Sequence, residues 1–482
     1  MRKQFLLMLV LCLTASLTWA ERIDVATARK VAGSVAQREG VTSGLRSASD
    51  LSLVYAAAPG QSGSALRSGT MEGSADYFVF NFPGEKGFAI VAGDDRVRPV
   101  LGYSDKGSFD PDKLPENLRG MLAYYQDQIT WANDKGIEAT PDIAAEWNQL
   151  MSGTALRAAG EKVLLETANW SQGEPYNRQT PTIKGKHTVT GCVATPMGII
   201  MKYHEYPIRA VNPPEYNYYS IDGYYSGHKL SYGDYDWGNM LSSYKGGGYN
   251  DAQADAVAEL LYHCGANVEM NYSVSASGTQ TSRVALALSE VFGYSPSIRY
   301  LQKEAYRWDE WKDMLRKELD LGYPMIYDGQ SSSGGHAFVC DGYSEDGTFH
   351  INWGWDGYSN GYFVLSTLDA EGDGNGYSDG QAVLLEIRPE QSGEEYFIRP
   401  YLIRANYSKS GNNASVSFDM KYYALKDHVF YLELGVIGQD GAIVQKPTDP
   451  LARNFQAYVG GWREYTGYSA TMTLSSDLSD GQ

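Results

Sequence analysis

The chain has 482 residues, room for two to four domains, and its 43% hydrophobic and 20% charged residues are ordinary for a folded protein. Basic residues number 40 against 58 acidic ones, a formal net charge of −18. That balance argues against nucleic acid as the main partner.

Arg2 and Lys3 precede an apolar run from Phe5 to about Trp19, and Thr18-Trp19-Ala20 supplies small residues at −3 and −1. This is the layout of a secretory signal peptide cleaved after Ala20. The run is too short, and too broken by Thr and Ser, for a membrane anchor. Leu11 is too large for a lipoprotein cleavage site at Cys12, and no later segment reads as a membrane span. The expectation is an exported protein, secreted or at the cell surface, with no integral membrane segment. Removing 1–20 leaves Cys192, Cys264 and Cys340, so at least one thiol is free. Exported proteins usually pair or avoid cysteines, and a nucleophile is a good reason to keep one.

In chain order, residues 21–156 form a first α+β unit. It has a helix over Val25–Gln37, a Gly/Ser-rich loop over Gly60–Gly73, and strands at Tyr77–Phe82, Gly87–Ala92 and Arg98–Tyr103. An amphipathic helix follows over Leu118–Trp131. The small, polar residues Ser152–Gly160 suit a processing linker. Between 157 and 392, helices are predicted at Cys192–Tyr203, Ala252–Cys264, Thr281–Phe292 and Trp308–Leu321, from apolar residues three and four apart. Strands are predicted at Pro324–Tyr327, His336–Tyr343, Thr348–Trp353 and Tyr362–Ser366. Helices first and strands afterwards point to an α+β domain rather than a doubly wound sheet. From 393 to 482 the pattern is all-β and sandwich-like, with strands at Tyr396–Leu402, Ala414–Met420, Val429–Ile437 and Ser469–Leu474. The chain stops abruptly after a strand, as a truncated domain would.

The strongest local feature is Thr190-Gly191-Cys192-Val193-Ala194-Thr195-Pro196, a thiol directly after glycine where an amphipathic helix begins. Proline is tolerated only in a first turn, so the helix starts at or after Gly191, which puts Cys192 in its first turn. A helix N-terminus offers free N–H groups and partial positive charge. With a cationic partner, such a site lowers a cysteine pKa from about 8.5 towards roughly 3.5–7.5. The same N–H groups can hold an oxyanion. A buried, inert cysteine is the plainer alternative.

The general base must be a histidine. His336 follows Gly334-Gly335 and opens an apolar strand, at a sheet rim where a substrate backbone can pass. His350 reads as a sheet residue, and His204, His263 and His428 as structural. Asn352 and Trp353 follow in His350-Ile351-Asn352-Trp353-Gly354-Trp355. In Cys–His enzymes a third group, often Asn, orients the imidazole, and a tryptophan over that contact excludes water. His336 lies 144 residues (336 − 192) beyond Cys192, near the roughly 130–150 typical of the papain group. The order Cys, His, Asn is papain-like, although the C-G-x-C-W signature is absent.

Several motifs together resemble the streptopain family of bacterial cysteine proteases. They are Trp170-Ser171-Gln172-Gly173-Glu174-Pro175-Tyr176-Asn177, Thr190–Thr195, Met201-Lys202-Tyr203-His204, Gly334–Phe338 and His350–Trp355. The resemblance implies a papain-like catalytic domain and an inhibitory propeptide over 21 to about 156, with Asp94–Ser104 as its characteristic segment. It also implies Cys192 as nucleophile, His336 as base, Gln172 as oxyanion donor, and Asn352 and Trp353 as orienting and shielding groups. Gly335 would hydrogen-bond the substrate backbone. Ser275-Ala276-Ser277-Gly278 would wall the non-primed side, so Ser277 and Gly278 are substrate-contact candidates. The implied partners are protein or peptide substrates with an apolar residue before the scissile position, and the chain's own propeptide.

No cofactor is called for. Leu368–Gly376 alternates oxygen ligands with glycine, but it lacks the distal glutamate of a calcium loop and reads as a glycine-rich loop. Cys264 and Cys340 read as small buried hydrophobes, with a disulfide between them left open. Two rival functions also stay open: acyl transfer or cell-wall amidase chemistry by the same dyad, and adhesion through the β-rich C-terminus with a silent protease.

Overall fold

The structure is a computed structural model. It describes residues 22–41, 45–59, 75–151, 162–331, 334–368 and 380–392, then 401–422, 428–432, 436–437, 443–445, 451–455 and 463–473. The signal segment, the Gly60–Gly73 loop, the Ser152–Gly160 linker and all but the first residue of the Leu368–Gly376 loop lie outside these residues.

The N-terminal unit begins with α1 (Val25–Arg38), capped by Asp24, which accepts from the Thr27 N–H at 2.7 Å. Its buried residues Ala28, Val31, Ala32 and Val35 recur at three- and four-residue spacing. They pack on an antiparallel run of β1 (Ser52–Ala56), β2 (Tyr77–Asn81), β3 (Phe88–Ala92) and β4 (Val100–Ser104). Helix α2 (Glu116–Lys135) follows Pro115 and ends at Gly136 in the left-handed region. A helix that the sequence reading passed over, α3 (Pro141–Met151), packs on α1 through a face that buries Ile143, Trp147 and Leu150.

The second unit begins with β5 (Lys162–Leu164) and a small hairpin, β6 (Thr182–Ile183) and β7 (Lys186–His187). Helix α4 (Ala194–His204), strands β8 (Asn217–Ile221) and β9 (Tyr224–His228), helix α5 (Asp251–Asn267) and β10 (Asn271–Tyr272) follow. The helix expected over Thr281–Phe292 is one α-turn, α6 (Arg283–Leu286), running into a π-turn over Ala287–Val291. Strand β11 (Arg299–Gln302) and helix α7 (Trp308–Asp320) precede β12 (Met325–Ser331), β13 (Gly334–Ser344), β14 (Phe349–Asn352), β15 (Gly361–Phe363) and β16 (Ala382–Leu385). The expected order of helices and then strands is present, in an α+β arrangement.

One sheet crosses both units, in the order β1-β2-β3-β4-β15-β14-β13-β12-β16-β11, with β5 added along β13. The joint is β4 against β15, with Tyr103 opposite Tyr362 and Gly102 opposite Phe363. A Cβ on Gly102 would stand 2.5 Å from the Phe363 ring, so only glycine lets the strands meet there. The two faces of the sheet carry two cores. One gathers α1, α2, α7 and the residues Tyr327, Phe338, Cys340 and Trp353. The other gathers α4, α5 and the residues Ile326, Ala337 and Val339, with Cys192 packed against it. Successive side chains of β12 and β13 thus alternate between the faces, as a pleated strand requires.

Beyond residue 400 every described element is a strand. β17 (Tyr401–Ser410), β18 (Asn413–Tyr422) and β23 (Arg463–Thr473) form an antiparallel sheet. β19 (His428–Leu432) pairs with β22 (Leu451–Phe455), and β20 (Val436–Ile437) with β21 (Ile443–Gln445).

Candidate active site

Gly191 has φ +95°, a conformation that favours glycine, and a Cβ there would stand 2.8 Å from the Met270 side chain. The turn it makes delivers Cys192 to the mouth of α4. The helix begins at Ala194 with Val193 as its N-cap, so Cys192 precedes it instead of lying in its first turn. The reason is Pro196: as third residue of the helix it sits where a missing N–H costs nothing, which sets the start two residues later than expected. Gln172 is placed alongside, because its carbonyl accepts from the Thr190 N–H at 3.1 Å. The Cys192 sulfur is half-buried and receives the N–H of Ala337.

His336 adjoins Ala337 on β13, yet its side chain points the other way. It shares the face of Phe338 and lines a small cavity with Asn117, Gly120, Met121, Tyr124 and Tyr327. Its Nε2 is buried with no hydrogen-bond partner among the described residues. The strand therefore separates thiol and imidazole, one on each face of the sheet.

The N-terminus of α2 fills the imidazole's side. Asn117, 3% exposed, donates from Nδ2 to the Ala337 carbonyl at 3.2 Å and to the Trp353 carbonyl at 2.8 Å. Glu116 adds negative charge. Burial pushes the Cys192 thiol above its ordinary value, and Glu116 pushes the same way against the Ala337 N–H. Burial also holds His336 below the usual imidazole value, with Glu116 opposing. Both groups are therefore biased to their neutral forms. This corrects the lowered thiol pKa expected from the helix start: desolvation by burial outweighs the free N–H groups.

Asn352 is 1% exposed and lies on the Cys192 face, opposite Val339 in the ladder. Its Nδ2 donates to Thr167 Oγ1 at 3.0 Å and to the Ala168 carbonyl at 2.9 Å, and its Oδ1 accepts from the Gly354 N–H at 3.1 Å. Trp353 is fully buried between Phe338 and Phe363, each 5.0 Å away, and its indole N–H donates to Ser359. Gly335 is exposed at the turn end of the β12–β13 hairpin, opposite Gln330. Ser277 Oγ donates to the Val189 carbonyl at 2.7 Å, which ties the 275–278 wall to the segment leading into Gly191. Both backbone groups of Gly278 are taken by Asn271.

The structure thus brings Cys192 and Asn352 to one face, ties the Gln172 backbone and the 275–278 wall to the segment leading into Cys192, and leaves His336 on the other face. Sequence reading missed Glu116 and Asn117. Their one signal is a polar pair directly after Pro115, before the apolar period of the helix begins. His350 is a sheet residue of β14 as expected, and its Nδ1 meets Asp341 Oδ1 at 2.5 Å. Cys264 and Cys340 are free, buried and in different cores, so they form no disulfide. Among the described residues, no group of three or more metal-ligating side chains gathers and no helix is long and apolar enough to cross a membrane.

Residues 170–363 match the model of the peptidase C10 family, and residues 20–129 match that of the Spi protease inhibitor. The thiol protease/hemagglutinin PrtT of Porphyromonas gingivalis is 39% identical over 299 residues, which cover 61% of this chain and 34% of that protein. The chain thus spans about a third of PrtT. Streptopain of Streptococcus pyogenes is 34% identical over 344 residues, covering 68% of this chain and 81% of streptopain. A solved fragment of Prevotella intermedia prointerpain A superposes with a TM-score of 0.55 at 27% identity, over 71% of this chain and 100% of that one. The chain belongs to the peptidase C10 family, the streptopain-type thiol proteases, and carries a Spi-type inhibitor segment ahead of its peptidase segment.

Proposed function

We propose that the chain is a secreted cysteine endopeptidase made as a zymogen, with Cys192 as nucleophile and His336 as general base. Residues 21–156 are the inhibitor, 157–392 the catalytic domain, and 393–482 a β-rich C-terminal domain. In the active form the Cys192 thiolate attacks the peptide carbonyl. The Gln172 amide and the Cys192 N–H hold the oxyanion, and His336 protonates the leaving amine. Water then cleaves the thioester. Asn352 orients the imidazole, and Trp353 keeps water from it. Gly335 and the Ser277–Gly278 wall hold an extended substrate, with an apolar side chain before the scissile bond.

The observation that carries this reading is the relation of Cys192 to β13. Its sulfur already receives the N–H of Ala337, the residue next to His336, while Asn117 holds that stretch from the opposite side. Turning His336 to the other face would bring thiol and imidazole together, and the Gly334-Gly335 pair supplies the backbone freedom. The inhibitor holds the base on the wrong face. Casein hydrolysis by the unprocessed chain, the processed chain and Cys192→Ala tests the reading. Only the processed wild type should be active. Equal activity before and after processing, or residual activity in Cys192→Ala, would count against it.

A further inference from the structure

The first residues after the linker do more than start the catalytic domain. β5 pairs antiparallel with β13, Leu164 opposite Gly342 and Lys162 opposite Ser344, and the Leu165 N–H donates to the Asp341 carbonyl at 2.7 Å. This lays residues 165–168 across the end of β14, where Asn352 sits. The Thr167 hydroxyl donates to Asp341 Oδ2 at 2.5 Å, and Asp341, 2% exposed, takes His350 Nδ1 on its other oxygen.

A hydroxyl has one hydrogen. Thr167 gives it to a carboxylate, so only its lone pairs remain to face Asn352. The Ala168 carbonyl beside it is an acceptor too. Together they admit the NH2 end of the Asn352 amide and reject its oxygen. The amide is fixed with Nδ2 towards Thr167 and Oδ1 turned away, bonded among the described residues to the Gly354 N–H. A carbonyl oxygen has two lone pairs, so one stays available to accept an imidazole N–H. A flipped amide would present donors to that N–H instead.

We propose that Thr167 and Asp341 are positioning residues that set the orientation of the Asn352 amide, so that the start of the mature catalytic domain is part of its active site. The proposal rests on the orienting role given to Asn352 above. It requires maturation to leave residues from Lys162 onward in place.

Steady-state kinetics of the matured full-length protein on a peptide substrate, over pH 5–9, tests it. Thr167→Val keeps the shape and removes the hydroxyl. It should lower kcat by about tenfold or more, with KM nearly unchanged and an altered pH profile of kcat, as misorienting a base does. Thr167→Ser should restore both. Thr167→Val combined with Asn352→Ala should be no slower than Asn352→Ala alone, since the two act through one amide. Wild-type kcat and pH profile in Thr167→Val would overturn the proposal, as would losses that multiply in the double variant. Wild-type turnover in Asn352→Ala would instead remove the role of Asn352 itself.

Discussion

The Asn117 carboxamide donates to the carbonyl of Ala337, the residue whose own N–H meets the Cys192 sulfur. Both backbone groups of one β13 residue are thus held, the carbonyl by Asn117 of the N-terminal unit and the N–H by the Cys192 sulfur. Asn117→Ala removes this bond and the one to Trp353, and leaves two buried carbonyls unpaired. The loss of docking should be about 1–3 kcal/mol. Self-processing of the freshly purified full chain, followed by gel, should speed up by up to about a hundredfold. An unchanged rate would mean that Asn117 does not hold the inhibitor.

A charged contact joins the two units away from the site. Arg38 of α1 meets Asp346 at 2.9 Å, Arg98 donates to the Asp346 carbonyl at 2.7 Å, and Lys162 meets Glu39 at 2.5 Å. The pair is partly buried, with the Asp346 side chain 24% exposed, so removing one partner costs less than in a fully buried pair. Arg38→Met should weaken retention of the cleaved inhibitor, which gel filtration would detect as partial separation at neutral pH.

The same contact gives a pH dependence. Burial alone would raise the Asp346 pKa, but Arg38, the Thr348 donors and Arg98 bring it below the ordinary carboxylate value. A depressed pKa stabilises docking above the ordinary value, near 3.9, and that contribution is lost as pH falls through the lowered one. Gel filtration of the cleaved wild type should show full retention at pH 6 and progressively weaker retention as pH falls below the ordinary carboxylate value. Retention that strengthens as pH falls would contradict the sign.

Thiol reactivity should report the state of the proposed Cys192–His336 dyad. In the unprocessed chain the raised Cys192 pKa leaves less thiolate at neutral pH than an exposed cysteine has. Iodoacetamide labelling of Cys192 should be slow at pH 7 and still rising above about pH 8.5. After processing it should be fast and flat through neutrality. Equal profiles before and after would show that the inhibitor does not suppress the thiolate.

Much of the architecture was legible because it is local. The spacing of Ala28, Val31 and Val35 gave α1, and Gly191 with Pro196 located the start of α4 to within two residues. What joins distant residues was not legible. No periodicity announces that β4 pairs with β15 some 260 residues later, because register is set by the meeting of two faces. The face of His336 was also hidden. Alternation fixes it relative to Phe338, but only the position of α2 says which face holds the inhibitor. Asn117 falls just ahead of the helix expected over Leu118–Trp131, and its role exists only because Ala337 and Trp353 offer carbonyls there.

The most direct measurement is mass spectrometry of an epoxide thiol label during maturation of wild type, Cys192→Ala and Cys264→Ser. The label should be found on the Cys192 peptide alone, increase with inhibitor cleavage and be unaffected by Cys264→Ser. Cys192→Ala should neither label nor process itself. Labelling or self-processing at the wild-type rate in Cys192→Ala would contradict Cys192 as the nucleophile.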